Sequence, residues 1–277
     1  MKADKKKFDT DGYQLVTKVF SPKEIEEMRK LVYEQYDIDT KKGLTFQYPE
    51  LATKAKYAKG DLLSKEKLYQ ILLDDRILEI ASTILGSKDL IYFGDSSYQI
   101  GTGLRGFHRD NIDRTNLDGP DWKGEYTLIR LGIYLQDHKN YSGGLKVRRG
   151  SHKNPSGKAV FIDSEVGDVA AWNLKTQHSG NAVRLKFFPN ISINTSRKEG
   201  FIPSFLKKDE QHERISLFMT FALKSSHLNR YINEYTLKRE DTKEHLKLSI
   251  YDNAALEMAK QKHVEILKLD PEQNKVA

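Results

Sequence analysis

The sequence predicts a mainly β protein with flanking helices, built around a jelly roll. Between residues 90 and 225, short segments of strand character follow one another at regular spacing and are separated by turn residues. Such a series is typical of an antiparallel sandwich or barrel, and not of a parallel sheet with crossover helices. Helical periodicity precedes and follows this region. A jelly roll would close the strands into two sheets with an open mouth.

The N-terminal part of the chain, residues 9–89, is predicted to be mostly helical and to follow a flexible basic stretch at residues 1–8. Ser21 begins a capping-box sequence, with a proline next and Glu24 three positions later. Apolar residues then recur at helical spacing, which carries the first helix to about Tyr36.

A second helix is predicted from Ser64 to Gly86, where the glycine provides a stop signal, and residues 37–63 between the two helices are expected to be irregular. The C-terminal part, residues 226–277, is charged and also predicted to be helical, with Asp252 as the cap of one helix. No repeat or low-complexity linker divides the chain, so we expect residues 1–277 to form a single domain.

The core strands are recognised by alternation and by their β-branched and aromatic residues. In residues 127–135, Ile129, Leu131 and Ile133 fall on one face, with Arg130 on the other, which indicates a strand with one face in a core. The predicted core strands are residues 90–93, 97–100, 127–135, 144–148, 158–162, 169–174 and 214–223. Residues 185–212 interrupt the series as a long, partly apolar insertion, and loops of this length are usually lids or binding loops.

Composition excludes several classes of function. The chain of 277 residues has no cysteine, so disulfides, thiolate catalysis and iron–sulfur clusters are excluded. The net charge of +7 comes from scattered lysines and not from a basic stripe, so we expect no nucleic-acid partner. The sequence has neither a secretory signal nor a segment apolar enough to span a membrane, and the expected location is cytoplasmic.

The most informative motif is His108-Arg-Asp110. Residues two apart on an extended strand project to the same face, so this imidazole and this carboxylate can bind one small cation. His178, from a distant strand, would complete a two-histidine, one-carboxylate set with open coordination positions, which suits a non-haem ferrous ion. Taken alone, His178 is better explained as a core or surface histidine satisfied by backbone groups, and only the ordered motifs around it favour the ligand role. His152 is expected to build a turn.

These residues belong to an ordered series of motifs. The motifs are Phe8-Asp-Thr-Asp-Gly-Tyr13, the His108 segment, Tyr134-Leu-Gln-Asp, Gly143-Gly-Leu-Lys-Val-Arg-Arg-Gly-Ser-His152, Gly167-Asp-Val-Ala-Ala-Trp172 and His178-Ser-Gly-Asn181. Over about residues 8–225 the series resembles the phytanoyl-CoA dioxygenase family of iron(II)/2-oxoglutarate-dependent oxygenases. The resemblance implies a double-stranded β-helix (jelly roll, cupin-like) and a reaction that uses Fe(II), 2-oxoglutarate and O2, with His108, Asp110 and His178 as metal ligands.

The far carboxylate of 2-oxoglutarate needs a two-pronged donor, which arginine supplies. Arg214 and Ser216 share one face of the last core strand and match the position that binds this carboxylate in the family. The number of residues between His178 and Arg214 is larger than is common in the family, so the assignment requires residues 185–212 to be an insertion. Arg184 is the alternative anchor, and Gln99 is a further candidate contact to the cosubstrate.

For the substrate, Arg105, Arg109, Arg130, Trp172 and Arg184 are candidate contacts, and an anionic or sugar-like small molecule would suit them. Surface arginines and a core tryptophan explain the same residues equally well. In related halogenases a small residue replaces the carboxylate ligand, so the resemblance and Asp110 together favour hydroxylation. Two alternatives stay open: a non-catalytic jelly-roll binding module, and a cupin-type metalloenzyme that does not use 2-oxoglutarate. The sequence gives no sign of the oligomeric state.

Overall fold

The computed structural model describes residues 2–47, 55–103, 106–193, 195–272 and 275–276. Within them, two mainly antiparallel sheets stack as a sandwich, and helices cover the outer face of the larger sheet. The predicted class, mainly β with flanking helices, is therefore confirmed. Among the helices of the described residues, none combines the length and the apolar character needed to cross a membrane.

The elements follow each other from an N-terminal helical region, through the strands, to C-terminal helices. The helices are α1 (Lys5–Asp11), α2 (Pro22–Lys41), α3 (Tyr69–Leu72), α4 (Asp75–Leu85), α5 (Ser196–Gly200), α6 (Ser226–Tyr231), α7 (Glu240–Lys247) and α8 (Asn253–Gln261). The strands are β1 (Tyr13–Val16), β2 (Thr45–Phe46), β3 (Lys56–Ala58), β4 (Ile91–Tyr92), β5 (Ser96–Ile100), β6 (Leu128–Tyr134), β7 (Gly144–Arg148), β8 (Ala159–Phe161), β9 (Val169–Asn173), β10 (His178–Ala182), β11 (Ile215–Ala222), β12 (Glu265–Ile266), β13 (Leu269–Asp270) and β14 (Lys275–Val276).

The larger sheet has the order β1-β9-β6-β11-β5-β3-β2, with β4 beside β11, and the smaller sheet has the order β10-β7-β8. Strand β6 lies inside the larger sheet. Its Ile129, Leu131 and Ile133 pack into the core beneath the helices, as the alternation predicts. On its other face, Tyr134 packs with Trp172 against side chains of β7 and so fills the space between the sheets.

The N-terminus differs from the sequence prediction. Of the stretch expected to be flexible, residues 1–8, Met1 lies outside the described residues, and Lys5 begins α1. The cap of this helix is the Asp4 carboxylate, which accepts a hydrogen bond from the Lys7 amide at 3.1 Å. Phe8 is buried in the main core. Burial of this aromatic ring and the acidic cap stabilise a helix that basic composition alone does not suggest.

The region predicted to be helical before residue 90 also contains strands, because β1 pairs with β9 and β3 pairs with β5. The predicted helix from Ser64 to Gly86 is broken into α3 and α4. Asp74 causes the break, since its side chain accepts a hydrogen bond from the Arg76 amide and caps α4. Gly86 ends α4 in the left-handed conformation, as predicted.

The insertion, residues 185–212, leaves and rejoins the sandwich at one place. Leu185 and Lys207 form a β-bridge, so the chain returns to where it left. Its α5 contributes Glu199, which forms an ion pair with Lys146 of β7, and both side chains are fully buried. The insertion is therefore anchored to the smaller sheet and does not displace β11.

We predict that the Glu199→Ala substitution lowers the free energy of unfolding by about 3 kcal/mol, because it leaves the Lys146 ammonium buried without its carboxylate. Urea denaturation measures the change. The double variant Glu199→Leu, Lys146→Met should recover most of it, since no unpaired charge then remains. Glu165→Ala is the matched control, because the pair of Glu165 with Lys139 is exposed and contributes little. Equal effects of the two alanine substitutions would contradict the anchoring role.

Candidate metal centre

The three predicted metal ligands converge. His108 and His178 lie on adjacent antiparallel segments, and the amide of each donates to the carbonyl of the other at 2.9 Å. Nε2 of His108 lies 3.6 Å from one oxygen of Asp110, and Nε2 of His178 lies 3.5 Å from the other. Donors that share one ion at about 2.1 Å and at right angles are about 3 Å apart, so these separations fit neighbouring corners of one coordination shell. The donor atoms all lie within 4.8 Å of one another.

Hydrogen bonds orient both imidazoles. Nδ1 of His108 lies 2.9 Å from the Gly106 carbonyl oxygen, and Nδ1 of His178 lies 3.0 Å from that of Thr176. Because a carbonyl oxygen only accepts, each Nδ1 carries the proton and each Nε2 turns its lone pair to the cluster. Burial lowers the pKa of His178 to about 4, so this ring is neutral at neutral pH, as metal ligation requires.

Arg130 holds the carboxylate. Its guanidinium donates to Asp110 at 2.9 Å, to Asp95 at 2.7 Å and to the Thr220 hydroxyl at 3.0 Å. Burial by itself would raise the pKa of Asp110, but the charge of Arg130, followed by the two histidines, outweighs it and brings the pKa below its ordinary value. Asp110 is therefore an ionised carboxylate with a fixed orientation. Arg130 therefore positions this ligand, and its expected contact with substrate stays a prediction.

Arg109 borders neither of the cavities beside the candidate metal centre. It lies between two ligands on an extended segment, so its side chain points to the opposite side. The buried guanidinium donates to the carbonyl oxygens of Lys175, Arg114 and Ser151 at 2.9, 3.2 and 3.4 Å. Three of its donors are thus used within the fold, and the expected role in substrate binding stays a prediction. Arg105 lies outside the described residues.

A cavity of about 260 Å³ joins the histidines to Arg214. Arg214 is 3% exposed; its Nε donates to the Gly143 carbonyl at 3.1 Å, and Nη1 donates to the Ser216 hydroxyl at 3.1 Å. Across the described ranges, Arg214 takes part in no salt bridge to a carboxylate. A buried guanidinium without a counter-ion is costly, so the cavity is suited to a ligand that brings a carboxylate.

The structure explains why the motif has glycine at positions 143 and 144. The Gly143 carbonyl holds Arg214, and a Cβ on Gly144 would lie 2.9 Å from Cβ of His138. His138 is buried beside this pair, and burial followed by the charges of Arg214 and Arg184 lowers its pKa to about 3. The imidazole is therefore neutral and adds no positive charge next to Arg214. Sequence reasoning did not identify His138.

The remaining cosubstrate candidates differ in position. Gln99 lines the cavity and pairs in register with Ser216 on the neighbouring strand. Ser216 is fully buried behind the guanidinium of Arg214, so it contacts the arginine and is not part of the lining. Trp172, predicted to contact substrate, lines the same cavity with its ring 5.3 Å from that of His178.

Arg184 lies outside the cavity. Its guanidinium pairs with Asp163 and donates to the carbonyl oxygens of His138 and Pro189 at 2.9 and 3.0 Å. All of these acceptors belong to the fold. The structure therefore brings Arg214, and not Arg184, to the candidate metal centre.

A second cavity, of about 530 Å³, reaches the centre from the side of Asp110. Arg130 and Tyr57 border both cavities, so the candidate ligands lie between two spaces. The rest of its lining includes tyrosines and charged side chains, among them Asp95, Tyr98, Tyr231, Tyr235, Arg239, Asp241 and Glu244.

Tyr57, Tyr134 and Phe218 line the smaller cavity, and sequence reasoning named none of them as site residues. For two of them, the alternation of residues along a predicted strand could have indicated this position. Phe218 continues the alternation of Arg214 and Ser216 along β11, and Tyr134 shares a face of β6 with Arg130. For Tyr57 there was no such indication, because its segment was expected to be irregular.

The chain is similar to a known protein family and to solved structures. The model of a family described as phytanoyl-CoA dioxygenase matches residues 8–184, more than half of the chain. Among solved structures, HygX from Streptomyces hygroscopicus with nickel, 2-oxoglutarate and hygromycin B bound is similar, with 16% identity, a TM-score of 0.54 and coverage of 78% of this chain and 84% of that chain. SnoK, a non-haem α-ketoglutarate-dependent carbocyclase from nogalamycin biosynthesis, is also similar. Its identity is 15% and its TM-score 0.55, with coverage of 81% of this chain and 88% of that chain. At such identities the likeness concerns the fold. No curated protein matches the sequence.

We predict that Arg130→Met weakens metal binding about 10- to 100-fold, because Asp110 loses the group that orients and ionises it. Calorimetric titration with Ni²⁺ in the absence of oxygen measures the affinity. Arg130→Lys should lose less, since it keeps the charge but not the three-way donor geometry. Arg149→Met is the control, since this arginine is exposed and paired with Asp11. Unchanged affinity in a folded Arg130→Met protein would refute the positioning role.

Proposed function

The chain belongs to the phytanoyl-CoA dioxygenase family of iron(II)/2-oxoglutarate-dependent oxygenases, and we propose that it hydroxylates a small-molecule substrate. In the balanced reaction, one oxygen atom of O2 enters the substrate as a hydroxyl group and the other enters succinate, while 2-oxoglutarate loses CO2. The observation that carries the proposal is the convergence of His108, Asp110 and His178 beside a cavity that ends at the uncompensated charge of Arg214.

His108, Asp110 and His178 would hold the ferrous ion. Two neutral imidazoles and one carboxylate are the donor set of non-haem iron oxygenases, and they leave coordination positions for other ligands. When bound, the ion supplies the oxidative decarboxylation of 2-oxoglutarate that is coupled to oxidation of the substrate. The chain's part is to fix the donors: the backbone carbonyls orient the imidazoles, and Arg130 keeps the carboxylate ionised.

Arg214 would bind the far carboxylate of 2-oxoglutarate. Two of its N–H groups are held by Gly143 and Ser216, which sets the plane of the guanidinium and leaves other donors for the ligand. Ser216 would act through Arg214, and Gln99 would contact the cosubstrate from the neighbouring strand. Arg184 is the weaker candidate, because Asp163 already neutralises it.

The substrate would occupy the larger cavity on the Asp110 side. Its tyrosines and its charged side chains of both signs favour a polar, sugar-like or charged molecule over a long hydrocarbon chain. HygX is described with hygromycin B bound, a small molecule, which is consistent with this class. Trp172 borders the smaller cavity and would contact the cosubstrate side.

Hydroxylation is proposed because Asp110 fills the coordination position that halogenases leave open for halide. Structurally similar proteins are described as an epimerase and a carbocyclase, so the fold supports other outcomes too. The product distinguishes them by mass. Hydroxylation adds one oxygen atom, desaturation or cyclisation removes two hydrogens, and epimerisation leaves the mass unchanged.

We predict a visible charge-transfer band when Fe(II) and 2-oxoglutarate are added without oxygen, and succinate release when oxygen is admitted. Asp110→Ala should abolish both while the circular dichroism spectrum stays native, because the variant removes one metal ligand. Metal content equal to wild type in a His178→Ala variant would favour a non-catalytic binding module instead. A panel of candidate substrates in the succinate assay then identifies the compound that stimulates turnover.

We predict that Arg214→Met raises the KM for 2-oxoglutarate about 10- to 100-fold, the loss expected for hydrogen bonds to a charged carboxylate. Arg184→Met is the matched comparison and should change this KM much less. Initial rates of succinate release at varied 2-oxoglutarate give both values. The opposite ranking would make Arg184 the anchor. Activity that is independent of Arg214 and of 2-oxoglutarate would favour a cupin-type metalloenzyme.

A further inference from the structure

A third cavity, of about 500 Å³, lies apart from the candidate metal centre. It is bounded by α1, the end of α4, the segment before β6 and the turn between β9 and β10. None of its lining residues borders either of the two cavities at the metal centre. It is therefore a separate space with its own chemistry.

Lys175 is the main polar group of this cavity. The side chain is only 7% exposed, and its Nζ lies 5.3 Å from the ring centres of both Trp122 and Tyr126. Within the described part of the chain, no oxygen accepts a hydrogen bond from this ammonium and no carboxylate pairs with it. Two aromatic faces attract the cation but leave its N–H groups without acceptors.

The charges around Lys175 compensate it only in part. The nearby carboxylate of Asp121 pairs with Arg230 and accepts from Asn111, and it forms no ion pair with Lys175. Burial lowers the pKa of Lys175, the charge of Asp121 offsets part of this effect, and Lys153 adds to it. This buried site would therefore be stabilised by an added negative charge.

Other charges at the cavity are already paired with each other. Lys5 lies 3.3 Å from Asp9 and 3.4 Å from Glu125. Lys153, on the exposed side, takes part in no salt bridge among the described residues. The three lysines of the lining outnumber its two carboxylates, so the cavity has a small positive excess.

Part of the cavity wall is apolar and consists of Phe8, Ile84, Leu85 and Ile129. A bare inorganic anion would bind Lys175 without covering this wall. A molecule with an anionic group and an apolar body would use both parts, because burial of its apolar surface adds to the charge interaction.

We propose that this cavity is a second binding site, for an amphipathic organic anion. The anionic group pairs with Lys175 between the rings of Trp122 and Tyr126, and the apolar body lies against Phe8 and Ile84. The site is separate from the binding of 2-oxoglutarate at Arg214.

Calorimetric titration of the full-length protein with octanoate tests the proposal, with inorganic phosphate as the second probe. We expect octanoate to bind, Lys175→Met to weaken it at least tenfold and Lys175→Arg to retain it. Lys186→Met, at an exposed lysine of the insertion, should leave the affinity unchanged. Phosphate binding as tight as that of octanoate would overturn the amphipathic class.

Two further measurements keep the test decisive. In a Trp172→Phe protein, Trp122 is the remaining tryptophan, so octanoate should change its fluorescence even if Lys175→Met fails to fold. In Arg214→Met, octanoate affinity should equal that of the wild type. An unchanged Trp122 signal, or a loss of binding with Arg214→Met and not with Lys175→Met, would overturn the proposal and place the ligand in the cosubstrate cavity.

Discussion

A carboxylate buried between two sheets must have a positive partner, and the pairing of Asp110 with Arg130 meets this constraint. Without Arg130, burial would favour the neutral acid, which is a poor metal ligand. Arg130 comes from the inner face of β6, whereas Asp110 is held through its amide by the carbonyl of Leu174. The pair thus connects the larger sheet to the turn that precedes His178, and the geometry of the candidate centre depends on that connection.

Charge compensation also separates the roles of the other arginines. Arg109 and Arg184 are buried, but the fold supplies acceptors for their guanidinium groups, and in Arg184 these include a carboxylate. Arg214 is equally buried and has a carbonyl and a hydroxyl as partners. Burial alone therefore does not identify a binding arginine. The informative feature is a buried positive charge that faces a cavity and has no carboxylate of the protein beside it.

The turn between β9 and β10 contacts both the metal segment and the cavity beside Trp122. Its backbone holds the metal segment, since the carbonyls of Leu174, Lys175 and Thr176 accept from Asp110, Arg109 and His178. The side chain of Lys175 points instead to the cavity beside Trp122. A ligand at Lys175 would thus be separated from the candidate metal centre by the backbone of this turn. If binding at one site changes the affinity of the other, the effect is reciprocal.

The sequence by itself determined what depends on local periodicity. The spacing in His108-Arg-Asp110, the alternation along β6 and the capping box at Ser21 each fix which side chains share a face, and the structure agrees. Tertiary structure decided which groups meet across long distances. Four features depend on partners far away in the chain. Strand β1 pairs with β9, Arg130 orients a metal ligand, Asp163 neutralises Arg184, and the two ends of the insertion lie next to each other. The physical reason is that the polarity of a residue predicts that it needs a partner, whereas only the packed fold determines which partner is within reach.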